Sequence, residues 1–149
     1  MPEPDDAAET VESPLHDAKI VIELASLWQG VSAGLFGVLF VAFGYALGDG
    51  RIDDFTGTLW VYVLLAGLVF CYALAGYGAG RSRPLMPLTH GILAGVGTFA
   101  GWMVLRAIIV AVKDSGHPIA WDQVATNLLL GAAFGMFGAM FATRHAPKP

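Results

Sequence analysis

The sequence predicts an all-α fold, an integral membrane bundle of four helices that follows a disordered acidic N-terminal tail. Of the 149 residues, 56% are hydrophobic, and the mean hydropathy is +0.63, values that do not fit an ordinary soluble domain. Four stretches of 21 to 26 residues contain no Asp, Glu, Lys or Arg, namely 24–48, 55–80, 84–105 and 123–143. Each reaches the ~20 residues that a helix needs to cross a bilayer. Helices are expected because the backbone groups of a segment in lipid must be satisfied within that segment.

Two regions are predicted, a disordered tail over residues 1–13 and a four-span domain over residues 14–149. The tail is acidic, contains prolines and lacks apolar periodicity, which is typical of disorder. Ser13 and Pro14 are residue types that mark a helix start. A helix from there to Gly48 is longer than the hydrocarbon core, so its first residues should project from the membrane or lie along its surface.

The four spans are predicted at about 24–48, 57–80, 87–111 and 122–143. Trp28 lies where an interfacial anchor is expected in the first span. "GDGRIDDFTG" and "KDSGHP" are predicted as turns from their glycines, aspartates and proline, and "RSRPLMP" as a short loop.

Lysines and arginines near the span ends predict the orientation in the cell membrane. Two sets fall on opposite sides: Lys19, Arg81, Arg83, Arg144 and Lys148 on one, and Arg51, Arg106 and Lys113 on the other. The larger set favours both termini in the cytoplasm. The difference is small, and inverted or dual insertion stays open as an alternative.

Small residues recur at helical spacing along every predicted span. Apolar surface alone does not drive helices together in lipid, whereas small residues let two backbones approach closely. Glycine costs about 1 kcal/mol in a water-exposed helix, and lipid reduces this cost by denying the backbone another partner. We therefore predict that these glycines face neighbouring helices. They are Gly30, Gly34, Gly37 and Gly44, then Gly76 and Gly80, then Gly91, Gly95 and Gly101, and finally Gly131, Gly135 and Gly138. Ala66 and Ala73 extend the second stripe.

An internal duplication is a further hypothesis. "QGVSAG" opens the first span and "HGILAG" opens the third, with glycine, alanine and glycine in register. Each unit would hold two crossings, so the chain would consist of two tandem helical hairpins in the same orientation.

Three polar residues of the spans form a possible polar site, Arg106, Asn127 and His90. Ionisable groups inside membranes are often functional. Arg106 is predicted near the outer interface, where its side chain reaches the surface or pairs with an aspartate. The candidate aspartates are Asp49, Asp53, Asp54 and Asp122. His90 opens the third span, and Asn127 is more typical of a hydrogen bond between helices than of an ion ligand.

The sequence offers no pattern for catalysis, for a metal or for a cofactor. No nucleophile has a nearby base, the spans hold no central carboxylate, and the histidines are scattered without metal-ligand spacing. The net charge of −4 provides no basic patch for nucleic acid. A non-enzymatic protein without cofactors is therefore expected, with the lipid bilayer and a second copy or another membrane protein as partners.

The segment "LAGYGAGRSRPLMPLTHGILAGVGTF", together with the four-span layout, resembles the YrzE-like small bacterial membrane proteins. Residues that carry the resemblance are Gly78, Ala79, Gly80, Arg81, His90, Gly91 and Gly95. The resemblance implies a four-span topology in a bacterial membrane and no known activity. The long acidic tail departs from the family pattern.

Two function hypotheses follow. The first is a multi-pass membrane protein that acts as a structural or accessory subunit. The second is a minimal ion channel or transport component, because "GVGTFAG" is similar to the broken third helix of the fluoride channels, although their first-span glycine and arginine signature is missing. Thr98, Asn127 and Arg106 motivate this second hypothesis.

Overall fold

The computed structural model describes residues 23–49, 51, 57–82, 85–113 and 121–145. Within these ranges the chain forms four α-helices: α1 (Leu24–Asp49), α2 (Leu59–Arg81), α3 (Pro87–Lys113) and α4 (Trp121–Arg144). All four are long and apolar enough to cross a membrane, with candidate spans of 22 to 25 residues. The predicted all-α fold with four helices is confirmed. The predicted acidic tail and the predicted helix start at Ser13 lie outside the described residues.

Local sequence explains where the helices begin. Pro87 is the first residue of α3, a position that needs no backbone N–H, and the His90 N–H donates to the Met86 carbonyl at 3.1 Å. At the start of α1, the Leu27 N–H donates to the Glu23 carbonyl at 3.1 Å. Thr58 precedes α2 with an extended backbone, as an N-cap residue does.

Residue contacts define an up-down-up-down topology. Gly30 lies against Ala79 and Gly37 against Cys71, so α1 and α2 are antiparallel. The order of contacts makes α3 and α4 antiparallel as well, whereas α1 runs parallel to α3 and α2 runs parallel to α4. Both ends of the described chain therefore lie at the same end of the bundle.

The middle of the bundle is occupied by α2 and α3, which contact each other. Each of α1 and α4 packs against this pair, and among the described residues α1 and α4 do not contact each other. Two equivalent hairpins related by a two-fold axis would make the α1–α4 and α2–α3 contacts alike. The chain thus forms two tandem antiparallel pairs, α1–α2 and α3–α4, but the contacts between the pairs do not follow a two-fold axis.

The bundle is tight at one end and splayed at the other. Buried positions of α1 extend from Ser26 to Val38, and those of α3 from His90 to Phe99, with no buried residue of either helix described beyond them. We call the tight end the Glu23 end and the splayed end the Arg106 end. Ala75, Ala79 and Ala94 form the fully buried centre of the tight part.

Candidate functional site: a chamber at the open end of the bundle

All twelve glycines that the sequence singles out lie against a neighbouring helix. A Cβ atom added at any of them would come within 3.0 Å of a heavy atom of another helix, which is tighter than most Cβ contacts. Gly37, Gly44 and Gly101 are half-buried and the other nine are buried. Ala66, by contrast, is exposed and contributes nothing to the seam of the second helix.

Three helix backbones converge at Gly135. A Cβ atom on Gly76 of α2 would lie 2.7 Å from the Gly135 Cα atom, and one on Gly91 of α3 would lie 2.6 Å from the Gly135 carbonyl oxygen. Gly95 meets the backbones of Gly131 and Gly135 in the same way. At this junction, backbone faces backbone, whereas Gly34, Gly37 and Gly44 of α1 meet mainly side chains of α2 and α3.

The three residues of the possible polar site do not form one site. Arg106 and Asn127 line a common cavity at the Arg106 end. His90 is buried in the first turns of α3, at the opposite end of the bundle. Sequence reasoning therefore named two members of one cavity and one member of a separate cluster.

His90 connects the starts of α1 and α3. Its Nδ1–H donates to the Met86 carbonyl at 2.9 Å, which leaves Nε2 to accept the Glu23 backbone N–H at 2.9 Å. Buried Ser26 donates its hydroxyl to the Glu23 carboxylate at 3.0 Å. The first N–H groups of a helix have no partner within the helix. The bond from the Glu23 N–H to His90 therefore satisfies a donor at the start of α1. A structural role accounts for all these contacts.

Two adjoining cavities form a chamber at the Arg106 end, with volumes of about 50 Å³ and about 470 Å³. Their shared wall contains Leu68 of α2, Trp102 and Arg106 of α3, and Gln123 of α4. The smaller cavity lies among α2, α3 and α4 and is also lined by Tyr72, Phe99, Met103, Val124 and Asn127. The larger one is completed by Val38, Val41, Ala42 and Tyr45 of α1.

The polar side chains of the chamber include two that only donate hydrogen bonds, Trp102 and Arg106, and others that can also accept them. Asn127 donates its amide to the Gln123 carbonyl of its own helix at 2.9 Å, so it makes no hydrogen bond between helices. Tyr72 is 1% exposed and has no hydrogen bond within the described residues. Tyr72 lines the smaller cavity.

Arg106 is half-buried, and none of the described carboxylates pairs with it. The side chains of Asp49, Asp53, Asp54 and Asp122, which the sequence suggested as partners, lie outside the described residues. Their pairing with Arg106 therefore stays a prediction.

Sequence reasoning missed Trp102, Gln123 and Tyr72. A usable signal existed in two of these cases. Trp102 precedes Arg106 by four residues and Gln123 precedes Asn127 by four, the spacing that places two side chains on one helix face. No comparable signal links Tyr72 to this group, because its contact depends on how α2 packs against α3 and α4.

In the described ranges, no three His, Cys, Asp or Glu side chains come close enough together to hold a metal ion.

Comparison with known proteins gives no family model, no curated protein and no solved structure that matches this chain.

Proposed function

We propose that this chain is a non-enzymatic, multi-pass protein of the bacterial cell membrane that acts as a structural or accessory subunit. Support for membrane insertion comes from large apolar side chains exposed on every helix. Trp28 on α1 is 73% exposed, Phe70 on α2 is 67% exposed and Leu129 on α4 is 70% exposed. Contiguous apolar surface of this kind is unfavourable in water and is satisfied by lipid acyl chains.

The observation that carries the subunit role is the contact of three helix backbones at Gly135. Close backbone approach gives dispersion contacts that need no reactive or mobile group, and small residues are what membrane helices use for it. The polar groups of the tight part are also engaged internally. Thr98 is fully buried and donates to the Ala94 carbonyl of its own helix at 2.8 Å. These features favour a rigid packing unit, and we assign the predicted glycines to that packing role.

We further propose that both termini face the cytoplasm. Arg81 and Arg144 lie at the same end of the bundle as Glu23, and Arg51 lies at the opposite end with Arg106. In the sequence, Lys19, Arg83 and Lys148 add to the side of the termini and Lys113 adds to the other side. The predicted excess of five to three favours cytoplasmic termini under the positive-inside rule. Reporter fusions at each terminus should report the cytoplasm in both cases.

The subunit role is tested by photo-crosslinking in membranes. A photoreactive amino acid is placed at Phe40, Phe70 or Leu129, which are exposed on three helices, and at buried Ala79 as the control. We expect discrete protein adducts, either with a second copy or with another membrane protein, from one exposed face and none from Ala79. Adducts with lipid alone at all three exposed positions would contradict a subunit role. Release of the protein by alkaline carbonate would contradict membrane insertion.

The rival function is a minimal ion channel, for which the chamber is the supporting observation. Arg106 and Asn127 line it at one end of the bundle. Ala75, Ala94 and Thr98, each 0% exposed, occupy the tight part beyond it, which favours the subunit role over a pore through one chain. Purified protein in liposomes should show no flux of fluoride, chloride or potassium. Flux that disappears in Asn127→Leu would establish the rival instead.

A further inference from the structure

The chamber combines one cation with an apolar wall. We propose that it binds an anionic amphiphile, whose phosphate or carboxylate headgroup lies on Arg106 and whose hydrocarbon lies along α1. This inference rests on the proposed membrane insertion, and it goes beyond a packing role because it assigns a ligand to the protein.

The charge of the ligand follows from Arg106. Among the described residues that line the two cavities, it is the only charged side chain. It is half-buried, and no described residue offers it a hydrogen bond or an ion pair. A partly desolvated cation without a counterion is unfavourable, and an anion that enters the chamber relieves that cost. The planar guanidinium suits the two oxygens of a carboxylate or phosphate.

Neutral groups around Arg106 favour the same ligand. The Trp102 indole is a donor only, and it has no hydrogen bond within the described residues. The Gln123 side chain and the Tyr72 hydroxyl on the other walls can each donate a further hydrogen bond. A cation beside an indole N–H that only donates favours an anionic group over a metal ion.

The apolar part of the ligand follows from α1. On α1, Val38, Val41 and Ala42 line the larger cavity with apolar side chains, and the Tyr45 phenol lies one turn further along the helix. Because α1 and α4 do not contact each other in the described residues, the chamber has no helix contact to close that side. A hydrocarbon chain can therefore pass between these helices while its headgroup stays on Arg106.

The depth of Arg106 in the membrane is consistent with a lipid-like ligand. α3 continues for seven residues after Arg106 to Lys113, which is ~10 Å along a helix. Arg106 therefore lies in the last third of α3, toward the membrane surface at this end of the bundle. Two sources share the required chemistry, an anionic membrane lipid and a free fatty acid.

Binding is tested with the full-length protein in a non-ionic detergent, by native mass spectrometry and by thermal unfolding with added ligand. The probes are dioleoyl phosphatidylglycerol, dioleoyl phosphatidylcholine, dodecanoate and inorganic phosphate. We expect phosphatidylglycerol or dodecanoate to bind and to raise the unfolding temperature. Whichever of these two binds more tightly identifies the source of the headgroup. Phosphatidylcholine, with the same chains, should bind at least tenfold more weakly than the better probe.

Variants separate the chamber from general surface charge. Arg106→Gln should weaken binding at least tenfold and Arg106→Lys should restore part of it. Arg51→Gln removes an exposed arginine at the same end and should leave binding unchanged. Ala42→Phe fills the apolar wall without altering charge and should also weaken binding, so it carries the test should Arg106→Gln fail to fold.

Three results would overturn the inference: equal effects of Arg106→Gln and Arg51→Gln, equal binding of the two phospholipids, or binding of inorganic phosphate as tight as that of dodecanoate. The last result would indicate a small-anion site. If Arg106 were paired with a loop aspartate, as the sequence suggested, Arg106→Gln and Arg51→Gln would have equal effects. Protein that resists carbonate extraction and forms crosslinked adducts, yet binds neither anionic amphiphile, would refute this inference and leave the proposed subunit role intact.

Discussion

Replacing Gly76 with alanine adds one methyl group at the place where three backbones meet. The new Cβ atom would lie 2.5 Å from the carbonyl carbon and 2.7 Å from the Cα atom of Gly135, where ordinary contact begins at 3.4 Å. Both partners are backbone atoms of a helix, so no side-chain rotation relieves the overlap. Moving the Cβ atom from 2.5 Å to 3.4 Å away from the Gly135 carbonyl carbon requires α2 and α4 to separate by roughly 1 Å, which also loosens the contact of Gly80 with Ala139.

The expected cost follows from two opposing terms. Overpacking a well-packed interior costs about 1–3 kcal/mol, and a backbone contact lies at the upper end of that range. Replacing glycine by alanine within a helix returns about 1 kcal/mol of helix propensity. Gly76→Ala should therefore lower the free energy of unfolding by about 2 kcal/mol.

Gly44→Ala is the matched control, because it makes the same chemical change within a half-buried helix position. Its Cβ atom would meet only the Leu64 Cδ2 atom, at 3.0 Å, which is the mobile end of a side chain. This variant should be neutral or up to about 1 kcal/mol more stable. Both are measured by reversible unfolding in mixed detergent micelles, followed by circular dichroism. Equal stability of the two variants would refute the reasoning that Gly76 is needed for backbone contact.

Three further predictions concern single residues. His90→Leu should lower the free energy of unfolding by about 1–3 kcal/mol, because the Glu23 N–H loses its acceptor, and faster hydrogen exchange of that amide should accompany the loss. Unchanged exchange at Glu23 would contradict the bond. Thr98→Val should keep stability within about 1 kcal/mol in the same unfolding assay, because its hydroxyl bonds only to Ala94 of its own helix. Cys71, which is buried, should react with N-ethylmaleimide only after unfolding, as read by mass spectrometry; labelling of the folded protein would show that α1 does not cover it.

The helices were predictable because a bilayer imposes a length and excludes charge along that length. The uncharged stretches of the sequence therefore mark the helices directly, and α1 to α4 end within two residues of the predicted spans. The glycines were recognisable for a related reason, since spacing within a straight helix places Gly30 and Gly34 on one face without knowledge of the partner helix.

Contacts between helices were not predictable in the same way. The bond between His90 and Glu23 joins residues 67 positions apart, and nothing in the local pattern of either residue indicates the other. The sequence also left open whether two equivalent hairpins exist, because similarity of "QGVSAG" and "HGILAG" says nothing about which helices touch. That depends on the relative rotation and tilt of four helices, which local spacing does not encode.

The position of the chamber depends on where the run of small residues ends along each helix. The distance between two packed helices depends on the side chains at their contact. On α3 the last glycine is Gly101, and Trp102 follows at once on the chamber side. On α4 the last glycine toward this end is Gly131, and Asn127 and Gln123 line the chamber beyond it. Larger side chains therefore line the space between the helices at the Arg106 end, whereas glycines bring the helices together at Gly135. The change from glycines to larger side chains along α3 and α4 thus places the open space at one end of the bundle, and Arg106 lines that space.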